Sequence, residues 1–215
     1  MNARHGLLFV MMDIPEPHEA ELNRWYDEEH LPERRSCEGF LTAKRYVALD
    51  GPPRYLATYD LSSVEVLSAP AYRSLMDHLS PWTRRIGGLV TTNLRRVYEE
   101  RTPPEVAADA APDAEAAGAL LVVLADVRPG GEDELVEWYD GEHLRERLDC
   151  PGFVRARRFE AVEGAPRFLA LYDLASEDAL ETDRYRAHQA SPTPATRRAQ
   201  DLMHDTQRKV YRRIA

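Results

Sequence analysis

Residues 121–211 repeat residues 8–98 without a gap at a constant offset of 113, and about 40 of the 91 paired positions are identical. Leu22-Asn23-Arg24-Trp25-Tyr26-Asp27-Glu28-Glu29-His30-Leu31 returns as Leu135-Val136-Glu137-Trp138-Tyr139-Asp140-Gly141-Glu142-His143-Leu144. Cys37, Gly39 and Phe40 return as Cys150, Gly152 and Phe153, and Tyr59-Asp60-Leu61 as Tyr172-Asp173-Leu174. Such a repeat constrains the chain to two copies of one small domain, expected to pair about a pseudo-two-fold axis. A functional site then exists twice, or once beside a diverged twin. The boundaries read as a first repeat over 1–99, a linker over 100–118 and a second repeat over 119–215.

Bulk properties narrow the function classes. A formal net charge of −9 argues against a nucleic-acid partner, because phosphates need a basic face. No apolar run approaches the roughly 18–20 residues of a membrane span, and the N-terminal residues lack a signal-peptide layout. The expectation is a cytoplasmic protein with a small-molecule partner, no membrane and no nucleic acid; a further homodimer of the fused pair stays open. Two cysteines at equivalent positions make no disulfide framework, and no metal-ligand spacing occurs. The expectation is therefore no metal and no cofactor.

Each copy reads strand–helix–strand–strand–helix–strand. The first strand spans Leu7–Ile14 and Leu120–Val127, and the first helix Glu19–Arg34 and Asp133–Arg147. Gly39 and Gly152 mark the entry to a second strand, Phe40–Leu49 and Phe153–Val162. The third strand covers Tyr55–Leu61 and Phe168–Leu174; Ser63 and Ser176 are candidate caps of a second helix; the last strand is about Thr91–Glu99 and His204–Arg212. Such an order is the ferredoxin-like βαββαβ unit, with both helices on one face of a four-stranded antiparallel sheet. Packing two bare sheet faces together buries them, so the expected fold class is α+β: two ferredoxin-like repeats joined sheet-to-sheet as an intramolecular barrel.

The Trp-Tyr-Asp-x-Glu-His-Leu segment, the Cys-x-Gly-Phe that follows, and the Arg45-Tyr46 and Arg158-Phe159 pairs resemble the dimeric α+β barrel superfamily, in its EthD-like branch. The resemblance covers both copies. It implies pockets between sheet and helices, and a range of relatives from cofactor-free isomerases, cyclases and monooxygenases to degradation accessories and haem binders.

At α-helical spacing, Leu22, Trp25, Tyr26, Glu29 and His30 share one face, as do Leu135, Trp138, Tyr139, Glu142 and His143. An apolar stripe ending in a carboxylate and an imidazole suits a proton-moving pair. His30 and His143 are the candidate acid/base groups, and Glu29 and Glu142 their candidate orienting groups. A structural reading stands beside it, because a His in a last helical turn is favoured by the helix dipole. Trp25, Tyr26, Trp138 and Tyr139 are candidate pocket walls, with core packing the stronger reading. Tyr59 and Tyr172 are candidate phenol donors, and Arg45 and Arg158 candidate carboxylate clamps. Cys37 and Cys150 read as small buried hydrophobes. His78 has no counterpart in the second copy, which inclines the reading toward a working site in the first.

The leading expectation is a cofactor-independent isomerase, cyclase or lyase acting on an unsaturated or aromatic-derived organic acid or ketone. The alternatives are a non-catalytic small-molecule or haem-binding module with the same His as axial ligand, and an accessory protein of a degradation pathway.

Overall fold

The computed structural model describes residues 4–215, the side chains of Thr92 and Asn93 excepted. It divides into two compact units, one running to Glu99 and taking in Ile214–Ala215, the other Glu100–Arg213.

In the first unit the strands are β1 (Gly6–Asp13), β2 (Lys44–Ala48), β3 (Tyr55–Leu61) and β4 (Thr92–Glu100). β1 sits between β3 and β4, and β3 pairs with β2 on its other side, all antiparallel. β2 is shorter than the run Phe40–Leu49, because Phe40 makes only an isolated bridge to Leu61 and Thr42 is held by the Asp60 carboxylate. Helices α1 (Glu19–Trp25) and α2 (Leu31–Ser36) precede β2, and α3 (Pro70–Asp77) and α4 (Pro81–Gly87) precede β4. The second helical region is thus two short helices, because Pro81 opens α4 with Ser80 Oγ accepting from Thr83 N–H at its N-cap. Ser63 starts a 3₁₀ turn without a side-chain cap. Ile214 and Ala215 bond to the backbone of Arg45 in β2.

The second unit repeats this plan. α5 (Pro104–Ala107) leads to β5 (Ala119–Val127), α6 (Glu132–Trp138) and α7 (Leu144–Leu148). β6 (Phe153–Ala161), β7 (Phe168–Leu174), α8 (Asp183–Ala190), α9 (Pro194–Leu202) and β8 (Met203–Arg213) complete it. β5 pairs with β7 and β8, and β7 with β6. The stretch read as a linker is ordered: α5 buries Val106 in the core of this unit, and Ala111 N–H bonds to Val154 O. Ala114 and Ala117 are buried as well, and Gly118 N–H bonds to Ala175 O.

Each core lies between the sheet and its helices. Leu22, Trp25, Tyr26 and Tyr59 are buried in the first, and Leu135, Trp138, Tyr139 and Tyr172 in the second. Gly152 directly precedes β6 and Gly39 precedes the isolated Phe40–Leu61 bridge, at φ of 86° and 89°. A Cβ there would come within 2.4 Å of Val66 Cγ2 or 2.7 Å of Ala179 Cβ, so both conformation and space demand glycine.

Candidate functional site

The first helix of each unit is broken by a π-helical turn, Tyr26–His30 and Tyr139–His143, in which the next residue's N–H reaches back five positions. This turn builds the site. In an unbroken α-helix a residue five positions on falls about 0.4 of a turn away from its predecessor. The wider turn closes that gap and lays His30 against Trp25, ring centroids 4.3 Å apart, and His143 flat on Trp138 at 4.0 Å. Tyr26 and Tyr59 meet the His30 ring edge-on, and Tyr139 and Tyr172 do the same for His143. Single-turn π insertions of this kind recur at functional sites.

Burial among aromatic rings keeps both imidazoles neutral. It is the main cause that pulls His30 down to about 3, with the Arg34 and Arg45 charges adding to it. His143 is drawn down to about 4 by burial, with Glu146 opposing and Arg147 assisting. Burial also raises Tyr26, Tyr59, Tyr139 and Tyr172, so all four phenols carry their protons at neutral pH. The Nδ1 atoms of both histidines and the hydroxyls of Tyr59 and Tyr172 are buried without a hydrogen-bond partner.

The glutamates beside the histidines serve another purpose than the one expected. Glu29 Oε1 accepts from Trp25 Nε1 at 3.1 Å, Ser80 Oγ at 2.6 Å and Thr83 Oγ1 at 2.8 Å. Glu142 Oε1 accepts from Thr193 at 2.5 Å and Thr196 at 3.2 Å. These carboxylates tie the π turn to the N-terminus of α4 in the first unit and of α9 in the second, and against the effect of burial the hydrogen bonds hold Glu29 below its ordinary range. The carboxylate near an imidazole is Glu146, three residues after His143, with Oε2 at 3.4 Å from Nδ1. Its alignment is too poor for a hydrogen bond, so it acts on the ring as a neighbouring charge. Its other oxygen lies 3.7 Å from His188 Nδ1, which in turn is 3.6 Å from Cys150 Sγ. Burial raises the Cys150 thiol, which is therefore no ready thiolate.

His78 lies exposed at the end of α3 with Nδ1 on Ser74 O, away from the His30 ring cluster, which removes the reason for favouring the first copy. Arg158 is committed to Asp140 in a bidentate pair, at 2.5 and 2.7 Å. Arg45 bonds Asn23 and lies 3.9 Å above the Tyr26 ring. The residues sequence reasoning passed over are Arg34 and Arg147, buried and one turn beyond each His, with Glu146 and His188. The signals were the duplication of Arg34 as Arg147, which a last-turn basic residue masks, and of Glu33 as Glu146.

In the second unit His143, Trp138, Tyr139, Tyr172, Arg147 and Gln189 contribute to the wall of a cavity of about 240 Å³. That lies below the roughly 300–1,000 Å³ of sites for drug-sized ligands. A haem macrocycle does not fit a cavity of this volume. Among the described residues no group of three or more His, Cys, Asp or Glu could hold a metal ion, and no helix is long and apolar enough to cross a membrane.

No family model matches the chain, and no curated protein matches it. Solved structures do. An anthrone oxidase-like protein is 13% identical over 99% of this chain and 92% of its own, with a TM-score of 0.69. A protein assigned as a monooxygenase from Lactobacillus acidophilus is 10% identical over 98% and 94%, TM-score 0.62. A chlorite dismutase variant from Candidatus Nitrospira defluvii is 12% identical over 98% and 92%, TM-score 0.60. These likenesses show the fold alone, which is α+β. They correct the functional expectation: the neighbours' names are oxidative, and none of these is an isomerase, cyclase or lyase.

Proposed function

We propose that the chain is a small-molecule oxidase or monooxygenase whose working site is the cavity of the second unit, with an electron-rich aromatic ketone or phenol as substrate. The observation that carries this reading is the neutral His143 imidazole with the Glu146 carboxylate 3.4 Å from Nδ1, at the wall of a small aromatic cavity. The anthrone oxidase-like and monooxygenase neighbours support the reaction class by analogy of fold. We also read the chain as a fused, EthD-like pair of ferredoxin-like halves working in the cytoplasm.

With anthrone as the test substrate, His143 takes the proton from the acidic ring carbon, and Glu146 stabilises the imidazolium that forms. The protonated Tyr172 phenol, otherwise unpartnered, donates to the carbonyl oxygen where negative charge gathers. The carbanion passes an electron to dioxygen and a C–O bond forms, giving a hydroperoxide with the proton from His143. Loss of the second C–H proton and cleavage of the O–O bond release water and leave the quinone. The balance is anthrone plus dioxygen to anthraquinone plus water.

An oxygen electrode tests this with anthrone, wild type against His143→Phe and Glu146→Gln. Wild type consumes oxygen above the solution rate and yields anthraquinone; His143→Phe loses about 10²–10⁴ in kcat/KM. Binding of anthrone without oxygen uptake by folded wild type would favour the non-catalytic binding module instead.

A further inference from the structure

Both units bury an arginine one turn beyond the histidine, and only the second neutralises it. Arg34 is 4% exposed, yet no carboxylate lies within ion-pair distance among the described residues. Its Nη2 meets Met76 Sδ at 3.8 Å, its guanidinium stands over the Tyr72 ring at 5.3 Å, and its Nη1 has no partner. Arg45, 2% exposed, also has no ion-pair partner among the described residues; it bonds the neutral Asn23, and Asp27 acts on it only from beyond ion-pair distance. At the matching positions of the second unit, Glu146 lies 3.6 Å from Arg147 and Asp140 grips Arg158. Two buried cations without a counter-charge are costly to hold. The Arg34 charge acts on both His30 and Tyr59, whose Nδ1 and hydroxyl are themselves buried and unpartnered.

We propose that the first unit is a binding site for an organic carboxylate on a flat apolar ring, with Arg34 as counter-ion and His30 and Tyr59 as hydrogen-bond donors, whereas the second unit takes uncharged ligands. The neutral imidazole can present its Nδ1–H, and the phenol its O–H, to carboxylate oxygens, while the free Nη1 supplies the charge-assisted bond. The positions concerned match ones that line the cavity of the second unit, so the pattern is one site architecture with two charge settings.

Calorimetric titration of the full chain without oxygen, using 1-naphthoate and its uncharged counterpart 1-naphthamide, tests this. Wild type binds one naphthoate per chain, at least tenfold tighter than the same site binds naphthamide. Arg34→Met weakens naphthoate at least tenfold, Arg34→Lys weakens it less, and Arg147→Met leaves it unchanged. Glu146→Gln frees the second unit's arginine and raises the stoichiometry to two, an outcome that does not depend on whether Arg34→Met folds. Equal affinity for the two probes, no naphthoate binding by folded wild type, equal losses in Arg34→Met and Arg147→Met, or a stoichiometry unchanged by Glu146→Gln would overturn the proposal. Failure of anthrone oxidation leaves these titrations unaffected, so the two readings fall separately.

Discussion

The two units share the π turn, the His-on-Trp stack and the surrounding phenols, and they differ in the charges set beneath that stack. In the second, Glu146 faces His143, His188 and Arg147, and Asp140 holds Arg158. In the first, the counterpart of His188 is Leu75, Glu33 makes no contact with His30, and Arg34 and Arg45 stand without carboxylates. The aromatic scaffold was kept after duplication because its packing carries the core. Both units carry acids at the matching positions, Glu33 and Asp27 in the first and Glu146 and Asp140 in the second, so they differ in which groups those acids meet. The difference teaches that one repeated scaffold can hold two electrostatic environments.

The sharpest way to break this comparison is to remove each arginine in turn and measure stability by chemical denaturation without ligand. Arg147→Met leaves Glu146 half-buried without its cation and is expected to cost about 1–3 kcal/mol. Arg34→Met removes an uncompensated charge while keeping contact with Tyr72, so its stability is expected to be unchanged or higher. Equal losses would show that both arginines act through packing alone.

A second test uses pH. The folded values of about 3 for His30 and about 4 for His143 lie below the ordinary 6.5. Between these limits the unfolded chain binds more protons, so stability is full above about pH 6.5 and falls as pH drops toward 4. Each histidine contributes at most about 1.4 kcal/mol per pH unit. The groups acting on them are Arg34 and Arg45 in the first unit, and Glu146, Glu142 and Arg147 in the second. Denaturation between pH 5 and 7 should show a slope that is reduced in His30→Gln and in His143→Gln. A wild-type slope unchanged by both substitutions would mean that neither imidazole is held neutral by burial.

The smallest effect concerns the outer arginine. Asp140→Asn breaks a partly exposed bidentate pair and is expected to cost about 1 kcal/mol. Asp27→Asn, at the exposed matching position, should be silent within about 0.5 kcal/mol. Equal effects would mean that Asp27 pairs with Arg45 in solution and that the units are less unlike than their side chains indicate.

Much of the scaffold was readable from residues alone. Tyr55–Leu61 and Phe168–Leu174 are strands at the expected bounds, because short aromatic and aliphatic runs between turn residues have few other options. Gly152 marks the entry to β6, whereas the strand expected after Gly39 begins only at Lys44. That the histidines pack with the Trp and Tyr rings was readable for a similar reason: they lie on apolar stripes. The π turn was not. Its extra residue leaves no mark on a hydrophobic period, and it moved Glu29 and Glu142 from the histidine to the adjoining helix. Arg34 and Arg147 escaped because a basic residue in a last helical turn looks solvated until its burial is known.

The sequence by itself determined that there are two copies, that each alternates strands and helices in one order, and which rings form each core. Local backbone preference and apolar periodicity act over a few residues, so a linear reading captures them. Only the tertiary structure decided which carboxylate meets which imidazole and which arginine is left uncompensated. Arg158 and His188 reach these groups from β6 and α8, and within the helix a shift of one residue in register, such as the π turn imposes, is enough to exchange partners.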